Sequence, residues 1–165
     1  MAMSSRDKSA DDEIRISDKL PSLIASLGFR QRPNFEDIDD EDTYLLHWAL
    51  CILQCAGLEP VVDFEFDKSF GGPFSTVLEQ VLEHLDWELV SSASAMEDTR
   101  VDAVQEEMAK GDEFLLALAT AASVVAYNPG ISMRDTTWMV RNIRPELHDI
   151  AAEACDFGEA NIWSK

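Results

Sequence analysis

His47, Cys51 and Cys55 recur at every fourth position of one apolar segment. On a helix they would line a single face with an imidazole and two thiols, a soft ligand set of the kind that holds zinc. The spacing argues against a shared ion. At about 1.5 Å of rise per residue, the outer two ligands stand about 12 Å apart along the axis. No Cys-x-x-Cys and no second ligand pair occurs elsewhere. The row therefore reads as packed core, where a free thiol behaves as a small hydrophobe. The run Glu36-Asp37-Ile38-Asp39-Asp40-Glu41-Asp42 offers oxygen ligands but lacks the glycine and the closing glutamate of a calcium loop. It reads as a solvated loop whose charge suits the N-terminus of the next helix. His47, His84 and His148 fall on separate segments, and no serine sits in a nucleophile elbow. Gly71-Gly72 lacks the lysine of a phosphate loop. With 32 Asp and Glu in the chain, carboxylate pairs arise by chance and mark no site. The expectation is a protein that is not an enzyme, with no catalytic residues, no metal and no cofactor.

Hydrophobic periodicity assigns the elements that hold these residues. Leu20, Leu23, Ile24 and Leu27 follow helical spacing within Ile14 to Phe29, with Ser17 or Asp18 as a cap, Pro21 in the first turn and Gly28 as terminator. Arg30 to Asp42 reads as a loop. Thr43 to Ala56 is apolar nearly all round, which predicts a central buried helix stopped by Gly57 and Pro60. Val61 to Asp67 alternates, with Val62, Phe64 and Phe66 on one side, as a half-buried strand does. Phe70-Gly71-Gly72-Pro73-Phe74 reads as a turn, and Trp87 to Val90 as the partner strand. Ser75 is placed to cap a helix running to Leu85, and Thr99 to Met108 is a weak acidic helix anchored by Val101, Val104 and Met108. Asp112 should cap a buried helix to Tyr127. Ser132 should cap one to Ile143 carrying Met133, Trp138, Met139 and Val140. Pro145 should open a last helix, striped by Leu147, Ile150, Ala151 and Ala154. The predicted fold is mainly α (α+β), a single domain of about six or seven helices with one short two-stranded hairpin. A winged-helix-like N-terminal half is one form it could take. The domain spans residues 14–157, between a disordered acidic tail over 1–13 and a loose tail over 158–165.

A length of 165 residues fits one domain. The formal net charge of −19 argues against a direct nucleic-acid binder that works by neutralising phosphates, and against docking on an anionic membrane. Three cysteines make an odd, sparse set, unlike a secreted disulfide scaffold. The first twenty residues lack an apolar signal region. The longest apolar stretch, Phe114 to Tyr127, is shorter than the roughly 20 residues a membrane span needs. A cytoplasmic protein with reduced thiols is expected.

The order of these elements resembles the YwgA-like family, which is related to the SocA-type antitoxin (Panacea) domain. Leu46-His47-Trp48-Ala49-Leu50-Cys51-Ile52-Leu53-Gln54 is similar to the central helix of that family. Val62 to Asp67, followed by Lys68-Ser69-Phe70-Gly71-Gly72-Pro73-Phe74-Ser75, resembles its strand and Gly-Pro-Tyr-Ser turn. Phe114 to Ala121 and Ile143-Arg144-Pro145 resemble its C-terminal half, so the likeness covers about residues 14–157. It implies a mostly helical domain with a small hairpin and, from the antitoxin relatives, action by binding a protein partner. It brings no catalytic residues. This chain has Trp48 where the family carries a lysine, an acidic approach over Glu36 to Asp42, and an extra glycine in the turn.

Charge supplies the remaining signal. From Gly72 to Glu113 eleven acids stand against Arg100 and Lys110, whereas Arg134, Arg141 and Arg144 gather near the C-terminal helices. Three origins compete: adaptation to a high-salt cytoplasm, a DNA-mimic surface, and a face complementary to one basic partner such as a toxin. The reading favoured is a non-enzymatic, antitoxin-like or accessory module that binds a basic protein. The acids Glu79, Glu83, Glu106 and Glu107 would steer that partner towards an apolar patch of Phe70, Phe74 and Trp87. Core packing is the ordinary alternative for those aromatics. The alternative function is a DNA-mimic inhibitor of a nucleic-acid-binding enzyme, such as an anti-defence protein; a small enzyme comes third.

Overall fold

The computed structural model describes residues 20–37, 40–58, 64–69 and 72–163. In chain order these form α1 (20–26), α2 (Glu41–Cys55), a hairpin of β1 (Asp67–Ser69) and β2 (Gly72–Phe74), α3 (Thr76–Glu83), α4 (Trp87–Ser92), α5 (Thr99–Lys110), α6 (Asp112–Tyr127), α7 (Met133–Ile143), a 3₁₀ turn (Pro145–Leu147) and α8 (Ala151–Gly158). A π-helical turn, Glu159–Trp163, closes the described chain. The fold is mainly helical and forms one domain, as its apolar periodicity requires. None of the described helices is long and apolar enough to cross a membrane.

Short polar side chains set the helix starts. Asp40, Ser75, Asp86, Asp98 and Ser132 each accept a hydrogen bond from a backbone N–H in the first turn of the helix they precede. Asp40 uses both oxygens, taking Asp42 N at 2.9 Å and Asn34 N at 2.8 Å, so part of the acidic run is structural. Asp112, expected as a cap, is instead the first residue of α6; Gly111 precedes it with φ +148° and no side-chain cap. The expected helix from Pro145 is a 3₁₀ turn, and α8 begins only at Ala151.

The two most apolar helices, α2 and α6, pack on one another at the centre. Leu20, Leu23 and Ile24 of α1, Leu78 and Leu82 of α3, and Val101 and Val104 of α5 are fully buried in the same core. Each buried leucine contributes roughly 1.5–3 kcal/mol over its exposed state. A second, smaller layer joins Ala121, Val140, Ala151 and Cys155, where α6, α7 and α8 meet.

The hairpin differs from expectation. β1 pairs antiparallel with β2, Asp67 opposite Phe74 and Ser69 opposite Gly72, so the Gly-Pro-Phe segment is strand rather than turn. β2 packs on α2 and α6 rather than projecting as a wing. Trp87 to Val90 does not pair with it, because the Asp86 cap opens a helix there. Phe64 and Phe66 do alternate about an exposed Glu65. Their backbone, however, is met by a side chain. The Gln54 amide donates to Phe64 O at 2.7 Å and accepts from Phe64 N at 3.0 Å, as a neighbouring strand would. Val61 to Asp63, Phe70, the 1–13 tail and the Ser17 and Asp18 caps lie outside the described residues.

Among the described residues, Gly158 to Trp163 are not a loose tail. Ile162 is 2% exposed in the main core, and the Trp163 ring lies over Gly158, where a Cβ would collide with it. Only a residue without a side chain permits that contact.

Candidate functional site

The acidic stretch runs from β2 through α3, α4 and α5 and ends on the first turn of α6, which holds Asp112 and Glu113. Of its two cations, Arg100 is held by Asp98, with Nη2 to Oδ2 at 3.0 Å and Nη1 to Ala56 O at 3.0 Å. That guanidinium keeps the Asp98 carboxyl below its ordinary range. Lys110 donates to Glu107 at 2.8 Å. Both cations are thus committed to internal pairs, and the other nine acids of the stretch have no base of their own within it. Glu79 and Glu83 sit one turn apart on α3. The Glu79 carboxyl is raised, first by partial burial and then by the charge on Glu83.

The seven residues expected to contact a partner separate into different roles. Glu79 and Glu83 are half-buried and Glu106 is exposed, all within the acidic helices. Glu107 is 3% exposed and ion-paired, so it is a core acid rather than a surface one. Its position carried that signal: it follows Val101 and Val104 on the same helical stripe. Phe74 is half-buried, stacked on the His47 ring at 4.1 Å between centroids and tilted against Tyr44. Trp87 is half-buried against the core and lies near Phe35, with its indole N–H donated to Leu82 O at 2.9 Å. Phe74 and Trp87 therefore serve different packing sites and form no common patch. Phe70 lies outside the described residues. The apolar groups that α3 and α4 do offer to solvent are Val77 at 51% and Leu89 at 55% exposure.

The candidate chemistry on α2 resolves into packing. His47 is fully buried; Nδ1 accepts from Ser75 N at 3.2 Å, and Nε2 has no partner. Phe66 meets the ring edge-on. Burial lowers its pKa to about 4. Cys51 is buried 3.4 Å from the Ser123 hydroxyl. Its thiol is raised by its hydrogen bond to Cys55 and by burial, while Cys55 is lowered by the same bond. No group of three or more potential metal ligands occurs among the described residues. His84 and His148 are both exposed, on α3's end and the turn after α7. An open cleft of about 750 Å³ is lined by Glu97, Asp98, Arg100, Asn161 and Trp163 among others, and by none of the three histidines.

Two further exposed aromatics, Tyr127 at 67% and Trp138 at 65%, lie on α6 and α7. The helix over Met133–Ile143 carries Trp138, as its sequence indicates, and has a buried stripe. That stripe is Thr136 and Val140, and Trp138 falls two residues from each, on the other side of the helix.

The chain is thus a small helical protein of net charge −19 with an acid-rich run over α3 to α5. No family model matches it, and no curated protein or solved structure matches it either.

Proposed function

We propose that this protein is a non-enzymatic binding module, antitoxin-like or accessory in role, which engages a basic protein through α3, α4 and α5. The observation that carries the reading is the seven acids on and between these helices (Glu79, Glu83, Asp86, Glu88, Glu97, Asp102 and Glu106) left without a local base once Arg100 and Lys110 are paired internally. Such a field accelerates encounter with a cationic surface and orients it. Val77 and Leu89, exposed on the same helices, supply apolar area to bury on contact. The resemblance to an antitoxin-related family supports a protein partner.

Capture from the source extract at low and high salt tests this. One stoichiometric basic protein should be retained. The triple variant Glu79→Lys, Glu83→Lys, Glu88→Lys should weaken its binding by about tenfold or more at low ionic strength. Unchanged affinity in the triple variant would refute the assignment of this face. Displacement of the captured protein by duplex DNA would redirect the reading to DNA mimicry.

A further inference from the structure

α2 ends on a pair of thiols. Cys51 and Cys55 stand four residues apart on it, and both are free. Cys51 is buried, whereas Cys55, the last residue of the helix, is half-buried and within reach of solvent. The two sulfurs are hydrogen-bonded to one another, so both side chains turn to the same side. Cys51 Sγ also lies 3.4 Å from the Ser123 hydroxyl of α6, which itself donates to Ala119 O at 3.1 Å. The inner sulfur is therefore fixed by the contact of α2 with α6. Packing accounts for His47, whose Nδ1 is taken by Ser75 N, and sets it apart from the pair. It leaves the capacity of two adjacent thiols to bind an ion unused.

We propose that Cys51 and Cys55 form a two-coordinate site for a soft, singly charged d¹⁰ cation, of which cuprous ion is the type. Helix geometry opposes the other product of two thiols. Positions i and i+4 set their Cβ atoms about 5–6 Å apart, whereas a disulfide needs about 3.5–4.5 Å. A direct sulfur–sulfur bond would have to unwind the end of α2. That end is pinned, with Leu58 N on Leu53 O at 3.0 Å and Arg100 Nη1 on Ala56 O at 3.0 Å. An intervening atom suits the helix as it stands, because two metal–sulfur bonds of about 2.3 Å placed in line span about 4.6 Å. The number of ligands then selects the ion. Structural zinc takes four ligands, and no group of three or more potential ligands occurs among the described residues. Soft thiolates favour cuprous ion, while carboxylates suit hard ions. On binding, two S–H bonds break and two sulfur–metal bonds form. Both protons pass to solvent, the ion keeps its oxidation state, and the bis-thiolate complex carries one negative charge.

The inference does not rest on the acidic face, and its test does not involve a protein partner. The reduced full-length protein, kept free of oxygen, is titrated with cuprous ion held by bicinchoninate, whose coloured complex reports what the protein withdraws. One ion per chain should leave the chelator, with two protons released. X-ray absorption should show two sulfur neighbours. Cys55→Ser and Cys51→Ala should each weaken retention by about a hundredfold or more, with an unchanged far-ultraviolet circular dichroism spectrum for Cys55→Ser. Cys155 lies in the smaller layer of the core, so Cys155→Ala should leave retention unchanged. No ion withdrawn from the chelator, retention that survives Cys55→Ser, or a third or fourth neighbour in the absorption spectrum would overturn the inference. Loss of the ion on Cys155→Ala would overturn it equally.

Discussion

The His47 imidazole accepts the Ser75 N–H through Nδ1, which leaves its own proton on Nε2. A second proton would have to enter at Nδ1, setting one N–H against another and breaking the bond that ties α2 to the start of α3. Burial holds the pKa at about 4, against an ordinary 6.5. As pH falls, the unfolded chain therefore takes up the proton first. His47's contribution is complete above the ordinary value and is lost progressively as pH falls to the folded one, by up to about 3 kcal/mol. Comparing urea denaturation of the protein and its His47→Phe variant from about pH 7 to about pH 4 isolates this term. The wild type should lose ground to the variant across that window. Parallel stability curves would mean that the imidazole is hydrated. The burial of His47 was legible from the apolar character of α2. Its bond to Ser75 was not, because the two are 28 residues apart and no local spacing links them.

At the scale of elements, the helices were legible wherever a 3.6-residue stripe met a capping side chain, as at Ser75 and Ser132. The departures have specific causes. Phe64 and Phe66 alternate in burial about Glu65, but residues 64–66 form no strand; Phe64 meets the Gln54 amide instead, which no strand pattern announces. Trp87-Glu88-Leu89-Val90 has strand-like composition, yet the Asp86 carboxylate captures Glu88 N at 3.0 Å and opens a helix. Gly158 looks like a terminator. Its neighbours Ile162 and Trp163 were the sign that the chain had more to bury. The Gly158→Ala variant tests that end. In an open helix the change would stabilise by up to about 1 kcal/mol. Here the new methyl displaces the Trp163 ring, and the expected loss is about 1–3 kcal/mol, with Trp163 fluorescence shifted towards that of a solvated indole. A stabilised variant would show that the last turn is undocked.

For the molecule as a whole, the excess of 19 negative charges makes compactness costly when it is unscreened. The melting temperature should climb as salt rises from about 10 mM to about 1 M, while the screening length contracts from about 30 Å to about 3 Å. Loss of structure in dilute buffer would favour the high-salt origin of the acidity, and a melting temperature indifferent to salt would show that the carboxylates lie too far apart to interact. The sign and size of the charge were plain in the composition. Its partition required the fold, because the pairing of Arg100 and Lys110 decides where the field is left open.

That partition has a mechanical consequence. Along α3 to α5 and the segments between them nine acids stand against Arg100 and Lys110, whereas α7 carries Asp135 against Arg134 and Arg141, so these helices contribute a dipole to the field of the molecule. Near a cationic surface it experiences a torque before it experiences contact. It turns while still diffusing, and its collisions begin with the acidic helices.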